Sequence, residues 1–206
     1  MAAPLPEHFD IASIKDDFLH LAQTSVYMVD CTSAVSTKPF YRPSGMDSNE
    51  QRKCILLCSE ATIPGSGSAT HESTGDFAGV TEKMVYRRIF DESLDLTFYV
   101  DAKYVIPEFL ESWHSYCLGE DQFGEFDRNS RLNDGAYYRM NYPSEYKGDI
   151  FLTKFEKDDK TNQPKMSYRF KDAFPQSIAS IPISYNASEI LKITASFSYT
   201  RYIKED

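Results

Sequence analysis

The side chains best suited to catalysis or metal binding are four histidines and four cysteines, and they are scattered along the chain. No histidine has a carboxylate or a cysteine at a productive spacing, and Cys54-x3-Cys58 lacks the second close pair that a zinc site requires. The chain contains no HExxH, GxSxG, P-loop or glycine-rich dinucleotide motif. We therefore expect no enzyme, no metal site and no cofactor. The eight residues are His8, His20, His71, His114, Cys31, Cys54, Cys58 and Cys117.

Two local features could suggest a reactive site, but each is better explained by a structural role. Cys54 and Cys58 flank Ile55-Leu56-Leu57, and as strand residues they would point to one face, as small buried hydrophobes in a reducing cytoplasm. The stretch GSGSATHESTGD, residues 65–76, has the Gly, Ser and His of an active-site loop but no strand-turn-helix context. This pattern favours a flexible assembly loop over a catalytic one.

Composition limits the class of protein. At 206 residues one domain spanning 1–206 is expected, and 41% apolar with 14% aromatic residues excludes a disordered chain. The net charge of −9 argues against a protein that grips phosphates, because nucleic-acid affinity comes largely from Lys and Arg. The start MAAPLPEHFD has neither a basic region nor an apolar run, so we expect an intracellular product without a membrane anchor.

Two helices and a set of strands must position these residues. Apolar residues at helical spacing predict a helix over 10–21, capped by Asp10, and a main helix over about 106–118 that ends at Gly119. Trp113 is the expected core anchor of the main helix. Loops are expected at 31–51, at 61–76 around a Pro64-Gly65 turn, and at 120–143; the first and the last are treated as insertions. Strands are predicted at 26–29, 52–60, 84–90, 94–101, 149–155, 166–172, 177–185 and 190–202.

The order helix, strands, helix, strands, without a βαβ repeat, indicates an α+β fold with an antiparallel sheet. The last strand carries apolar side chains on one face and short polar ones on the other. Such a strand suits a barrel wall or a sheet that lines a watery channel, and an ordinary sandwich with a solvated face stays possible. The polar face comprises Lys192, Thr194, Ser196, Ser198 and Thr200, to which the strand 94–101 would add Asp95, Thr97, Tyr99 and Asp101.

An ordered series of weak motifs carries a family resemblance over nearly the whole chain. They are FLHLAQTSVYMVD (18–30), CSEATIPG (58–65), RRIFDESLDLTFYVDAKYVIPEFLESWHSYC (87–117), YPSEYKGDIFLTKFEKD (142–158) and FKDAFPQSIASIPISYNASEILKITASFSYTRY (170–202). The chain resembles the tail tube proteins of contractile-tailed, T4-like bacteriophages. The loops at 31–51 and 120–143 are longer than in the simplest tube proteins.

The resemblance implies an antiparallel β-sandwich or barrel-like tail tube fold and a structural virion protein. It implies hexameric rings, a continuous inner β-barrel closed across subunits, and head-to-tail stacking assembled in the host cytoplasm. The expected partners are copies of the chain, the tail sheath protein, a baseplate tube initiator, a tail terminator, and phage DNA that passes without specific binding. Candidate lumen-facing residues are Lys192, Thr194, Ser196, Ser198, Thr200, Asp95, Thr97 and Asp101. Candidate residues of a ring-stacking loop are Pro64, Gly65, Ser66, Gly67, His71 and Glu72.

Other functions remain open at this point. The chain could be a baseplate-proximal initiator of the same fold, or the tube protein of a secretion machine. From a different class, it could be an intracellular β-barrel that binds a small apolar ligand. An enzyme is the weakest alternative, because no nucleophile and base can be paired from the sequence.

Overall fold

The computed structural model describes residues 24–32, 47–73, 79, 81–91, 93–119, 140–155, 165–183 and 190–205. The predicted helix at 10–21 and most of the insertion at 120–143 lie outside these residues. The strands are β1 (Tyr27–Asp30), β2 (Cys58–Ala61), β3 (Ser66–Ser73), β4 (Glu82–Phe90), β5 (Ser93–Tyr99), β6 (Gly148–Phe155), β7 (Lys165–Ile178), β8 (Lys192–Ser198) and β9 (Arg201–Glu205). The helices are α1 (Ser48–Leu56), α2 (Val105–Leu118) and α3 (Pro143–Tyr146).

Two antiparallel sheets share the long strand β7. The first sheet has the order β1-β6-β7-β9 and uses the first part of β7. The second sheet has the order β7-β8-β5-β2 and uses the last part of β7. Strands β3 and β4 form a separate two-stranded sheet. The described residues therefore form open sheets rather than a barrel closed within one chain, and the α+β antiparallel prediction is confirmed.

The core lies between the buried faces of the sheets and helix α2. Leu94, Leu96 and Phe98 of β5 are each at most 2% exposed, which confirms the period-two pattern predicted for this strand. Trp113 of α2 is fully buried, lies 5.7 Å from Phe197 of β8 between ring centroids, and donates from its indole N–H to the Tyr146 carbonyl at 2.8 Å. The indole therefore joins α2 to β8 and to the short α3, with its one polar atom satisfied.

Helix α2 follows its sequence signals closely. It begins at Val105 and Pro107 is its third residue, where the missing N–H costs no intrahelical bond. It ends at Gly119, whose φ of 74° is the left-handed conformation that glycine adopts most easily. Asp101 accepts from the Val105 N–H at 3.0 Å and so satisfies one donor of the first turn.

Helix α1 corrects the predicted loop at 31–51 over its last four residues and the predicted strand at 52–60; residues 33–46 of that loop lie outside the described part of the chain. Residues 48–56 are helical, and only Cys58–Ala61 form a strand. Asp47 and Glu50 form a capping box that fixes the helix start, and this local signal prevails over the apolar run Ile55-Leu56-Leu57. Cys54 thus lies buried on a helix and not on one strand face with the half-buried Cys58. Burial raises the pKa of both thiols to about 12, so they are protonated and unreactive at neutral pH.

The final segment of the chain is a corner rather than one long strand. The predicted strand 190–202 is interrupted at Tyr199 and Thr200, so β8 joins the second sheet and β9 the first. β7 turns at the same level, where Asp172 has a left-handed φ of 58°. The predicted strand 177–185 holds for Ser177 and Ile178, the end of β7, and is wrong for residues 179–183, which form no strand. Two neighbouring strands that bend together carry the chain from one sheet to the other.

An ionic cluster around Asp149 holds this corner. The bulge between Gly148 and Ile150 presents the Asp149 carboxylate to Arg169 at 2.8 Å and to Lys171 at 2.9 Å. The same carboxylate accepts from the Asp172 N–H at 3.2 Å. Burial opposes ionisation, but the hydrogen bonds from Lys171 and Arg169 prevail and hold the pKa of Asp149 below its ordinary value.

Two features are absent from the part of the chain that the structure describes. None of its helices is long and apolar enough to span a membrane. Nor does it contain a group of three or more His, Cys, Asp or Glu side chains placed to hold a metal ion.

Replacing Asp149 should weaken the fold in a pH-dependent way. We expect Asp149→Asn to lower the free energy of unfolding by about 1–2 kcal/mol at neutral pH, because Lys171 and Arg169 lose this carboxylate and Arg169 keeps only its 3.5 Å pair with Glu205. A carboxyl group with a depressed folded-state pKa stabilises the protein above its unfolded pKa of about 3.9, and this contribution is lost as pH falls through the folded-state pKa. Urea denaturation over a pH series should therefore show the wild-type advantage shrinking below about pH 4.

Glu111→Gln on the exposed surface of α2 removes the same charge and serves as the control. It should leave the unfolding curves unchanged. An Asp149→Asn deficit that stayed constant down to the most acidic pH would contradict the assigned electrostatic role.

Candidate assembly surfaces

Strands β3 and β4 form an arm, residues 66–73 with 82–90, that is exposed along nearly its whole length. All but one residue of β3 are exposed, and in β4 only Phe90, at its end, is half-buried. This corrects the predicted loop at 61–76: residues 62–65 form neither helix nor strand, but residues 66–73 are paired strand, and residues 74–76 lie outside the described part of the chain. Small residues such as Ser66-Gly67-Ser68 gave no strand signal because the strand is formed by pairing with β4 and not by burial.

The arm carries a run of exposed apolar side chains. Met84, Val85, Tyr86 and Ile89 are 53%, 67%, 70% and 49% exposed. An isolated two-stranded hairpin is marginally stable in water, and contiguous exposed apolar residues commonly mark an interaction site. The Lys83–Glu72 ion pair, 2.8 Å long, is highly exposed and adds little stability. The arm therefore has the character of a surface that a partner covers.

The root of the arm is fixed to the body. Asp91 accepts from the Gly65 N–H at 2.8 Å, across the point where the chain enters and leaves the arm. The Arg88 guanidinium lies 4.9 Å from the Phe90 ring centroid and 5.1 Å from that of Tyr202, and it donates to the Tyr202 hydroxyl at 2.9 Å. Phe90 also packs edge-on against Tyr202, at 5.3 Å between centroids. The arm thus projects from a defined base next to β9.

The second sheet presents a polar face opposite its buried one. The hydroxyls of Thr97 and Thr194 lie 3.0 Å apart, and Ser196 donates to Asp95 at 2.5 Å. Lys192 forms a 3.2 Å ion pair with Glu60 of β2. Short hydroxyls and carboxylates therefore dominate this face, and its described cation is paired with a carboxylate.

Most of the candidate lumen residues from the sequence lie together on this face. Lys192, Thr194, Ser196 and Ser198 of β8 alternate with buried residues, and Asp95 and Thr97 of β5 lie in register beside them. The other two candidates lie beyond the strand ends. Thr200 is at the corner between β8 and β9, where its N–H donates to the Lys171 carbonyl.

Asp101, the last of these candidates, is committed to helix α2 and to α1. In addition to the Val105 N–H, its carboxylate binds Lys53 at 2.8 Å. The hydrogen bond from Lys53 lowers the pKa of Asp101, which outweighs the opposing effect of burial. Asp101 is the last residue of the alternating sequence pattern 94–101, but strand β5 ends at Tyr99. The Asp101 side chain therefore bonds to the start of helix α2 instead of joining the polar face of the sheet.

The candidate ring-stacking residues fall at the root and along one strand of the arm. Pro64 and Gly65 precede β3, whereas Ser66, Gly67, His71 and Glu72 belong to it. The apolar residues Met84, Val85 and Tyr86 on the facing strand were missed as surface candidates. Three consecutive apolar residues break the period-two pattern of a half-buried strand, and this signal could have identified them.

Two strand edges of the second sheet are open. Within the part of the chain that the structure describes, β2 pairs only with β5, and the last part of β7 pairs only with β8. Pro175 lies in this last part of β7, next to an irregularity in the pairing between Pro175 and Ser177. Open edges are available for pairing with another chain.

Comparison with known proteins identifies the family. A family model described as "Phage tail tube protein" matches residues 22–205. The chain belongs to the phage tail tube protein family. This confirms the resemblance inferred from the sequence motifs and gives the protein a structural role in a tail tube.

Solved structures support the same fold. The chain is similar to the anti-feeding prophage (AFP) tube terminating cap, at 14% identity and a TM-score of 0.56 over 90% of this chain and 91% of that one. It is also similar to the sheath/tube terminator of an extracellular contractile injection system (PVC), at 15% identity and a TM-score of 0.50 over 91% and 98%. Comparison with curated protein sequences gave no match.

The contact between Gly65 and Asp91 can be tested by a double-mutant cycle. A Cβ on Gly65 would lie 2.8 Å from the Asp91 carboxylate oxygen, so Gly65→Ala must displace that side chain. We expect Gly65→Ala and Asp91→Ala each to cost about 1 kcal/mol in urea unfolding, and the double variant to cost no more than one of them. Additive costs would show that the two residues act independently.

Proposed function

We propose that this phage tail tube protein is the repeating subunit of the inner tube of a contractile tail, a single domain over residues 1–206. Six copies would form a ring, rings would stack head to tail, and DNA would pass through the channel into the host. The observation that carries the proposal is the exposed apolar arm. In a single chain the apolar side chains of the arm are exposed to water, which is unfavourable. A second copy that covered them would remove this apolar surface from water.

The arm supports stacking between rings. It projects from a base fixed by Asp91, Arg88 and Tyr202, so its direction is set before assembly. A projecting element that docks elsewhere on an identical subunit makes a heterologous contact, and such contacts propagate into filaments or tubes. Of the predicted ring-stacking residues, Pro64 and Gly65 lie at the root of this element, and Ser66, Gly67, His71 and Glu72 lie along it.

The second sheet supports closure within a ring. Its four strands run in alternating directions, so its two open edges, β2 and the last part of β7, run antiparallel to each other. Setting β2 of one subunit beside β7 of the next would therefore continue the same antiparallel ladder. Closing the ring in this way would build one inner β-barrel and leave no open edge.

The polar face of the second sheet supports a channel lining. The Asp95 carboxylate would repel phosphates, and the charge of Lys192 is offset by Glu60, its partner at 3.2 Å. Short hydroxyls such as those of Thr97 and Thr194 carry no positive charge that would bind a phosphate. Affinity for DNA depends on Lys and Arg that neutralise phosphates, so DNA would slide along this lining without being held.

A terminator of the tube is the second candidate function. The two solved structures described above are named as a tube terminating cap and a sheath/tube terminator. A terminator would form single rings on the end of a tube, whereas the repeating subunit forms long tubes. The sheath protein, a baseplate initiator and the virion as the final location are parts of either proposal.

Disrupting the arm should stop tube growth without unfolding the subunit. We expect Val85→Asp together with Ile89→Asp to abolish tubes in electron microscopy of the concentrated full-length protein, because both side chains would have to be desolvated between rings. The circular dichroism spectrum and the melting temperature should stay close to wild type, since both positions are exposed in the subunit.

Leu56→Asp on α1 is the matched control, because Leu56 is also an exposed apolar residue, at 63%. It should leave tubes of normal length. Normal tubes from the arm variant would rule out a stacking role for the arm, and single rings from the wild-type protein would favour the terminator.

A charge reversal should reveal whether the polar face lines the channel. We expect Asp95→Lys tubes to retain short duplex DNA at low salt and to release it steeply between about 50 and 200 mM salt, as stacked rings of lysines would bind phosphates. Co-sedimentation of labelled DNA with the tubes is the measurement.

Glu111→Lys introduces the same change of charge on α2, and its tubes report any binding that charge alone produces. If Asp95→Lys tubes retained no more DNA than Glu111→Lys tubes, the face would not line the channel.

A further inference from the structure

The arm continues two strands of the second sheet. β2 pairs with β5 and β3 pairs with β4, while the chain runs from β2 into β3 and from β4 into β5. Between these pairs, the hydrogen bond from the Gly65 N–H to Asp91 joins the two segments. The arm therefore projects from the end of the second sheet at which β5 begins. We call this the arm end of the sheet, and the opposite one, at which β5 ends, the far end.

Hydrogen bonds fix the backbone at the far end. Tyr99, the last residue of β5, pairs with Lys192, the first residue of β8. Beyond this pair, the Val100 N–H donates to the Leu191 carbonyl at 3.0 Å, which holds the chain in place just before β8. β7 runs antiparallel to β8 and therefore ends at the same end of the sheet, where Ile183 follows it. The far end thus has a defined shape in the single chain.

The far end exposes apolar side chains, as the arm does. Tyr104, which follows the turn after β5, has a left-handed φ of 55°. Its N–H donates to the Asp101 carbonyl at 3.0 Å and its carbonyl accepts from the Glu108 N–H at 3.1 Å, so the backbone holds the exposed ring in place. A tyrosine ordered before binding costs little entropy in an interface. We define the far-end patch as Tyr99, Tyr104, Ile183 and Ile190, which are 37%, 60%, 90% and 73% exposed.

We propose that the far-end patch receives the arm of a second copy, a contact that rests on the proposed stacking of rings. In a single subunit the arm projects away from its own patch, since the two lie at opposite ends of β5, which spans about 20 Å. When rings stack head to tail around a channel lined by the second sheet, the arm end of each ring faces the far end of the next. The same translation therefore brings every arm to a patch, and apolar surface on both sides leaves water.

The charges of the two surfaces are complementary. On the arm, Glu82 lies next to Lys83, whose charge is balanced by Glu72 at 2.8 Å. At the far end, Lys103 is exposed and directly precedes Tyr104. Opposite charges at the margin of an apolar contact orient the two partners. Because every subunit carries both surfaces, the arm of a second copy is the occupant that this arrangement favours.

Cysteine cross-linking in assembled tubes tests this contact. Full-length protein with Met84→Cys on the arm and Ile190→Cys in the patch is assembled, treated with a short bis-maleimide and then denatured. We expect a ladder of covalent multimers, because each subunit would be linked through its arm to one neighbour and through its patch to another. Met84→Cys or Ile190→Cys alone should give no ladder, and wild-type tubes report the background from the native cysteines.

Met84→Cys combined with Leu56→Cys is the matched control. Leu56 is also exposed, but it lies on α1, on the β2 side of β5, whereas Ile190 lies on the β8 side. Three results would overturn the inference and leave the proposed tube intact: tubes without a ladder from the Ile190→Cys pair, an equal ladder from the Leu56→Cys pair, or linked dimers from Met84→Cys alone. Wild-type protein that formed neither rings nor tubes would contradict the proposed function as well.

Charge in the patch gives a second measurement that needs no cross-linker. Ile183→Asp together with Ile190→Asp should stop assembly at single rings in electron microscopy, because docking of the arm would desolvate two carboxylates. The melting temperature should stay close to wild type, since both side chains are exposed in the subunit. Tubes of normal length from this variant would show that the patch does not receive the arm. Loss of rings as well as tubes would assign the patch to the contact between neighbours within one ring instead.

Discussion

The structure depends on one constraint, that two adjacent strands cross from the first sheet to the second at the same level. β7 pairs with β6 and β9 up to Ala173 and with β8 from Phe174 onward, so the corner joins the two sheets through one strand. The left-handed Asp172 and the Asp149 cluster with Arg169 and Lys171 fix the place of this turn. The buried faces of both sheets then meet at one core, which α2 closes through Trp113.

This corner also determines which surfaces the subunit offers. Because β7 leaves the first sheet after Ala173, its last part becomes an open edge of the second sheet, opposite the open edge of β2. The face of the second sheet that points away from the core carries Asp95, Thr97 and Thr194, whose polar groups are bonded to one another or to Ser196. The two open edges and the polar outer face of the second sheet thus arise from the same strand geometry.

Sequence reasoning recovered the parts of the fold that burial controls. The alternation around Leu96 and the helical spacing around Trp113 both reflect contact with the core, and both predicted their elements.

Sequence reasoning failed where hydrogen bonds, local or between distant residues, decide the structure. A capping box at Asp47 makes 48–56 helical despite an apolar run typical of strands, and β3 exists only because β4 lies beside it. The corner in 190–202 could not be predicted, because residues of β6 and β7 determine where the strand breaks. For the polar face of the second sheet, alternation along β5 and β8 predicted which strand residues lie together. It could not predict the place of Asp101, because that side chain bonds to the first turn of helix α2, beyond the end of the strand.

The arm shows why the subunit is best understood as one part of an assembly. Its two strands pair through the backbone groups that face each other, but they bury almost no side chain in the single chain. Folding costs roughly 1–2 kcal/mol of backbone entropy for each ordered residue, which a two-stranded element with exposed Met84, Val85 and Tyr86 does not recover by itself. The root contacts of Arg88 and Phe90 with Tyr202 hold the arm in place at its base, and a second copy would supply the missing burial along its length. Under the proposed function, assembly would bury the apolar side chains of the arm that a single subunit leaves exposed.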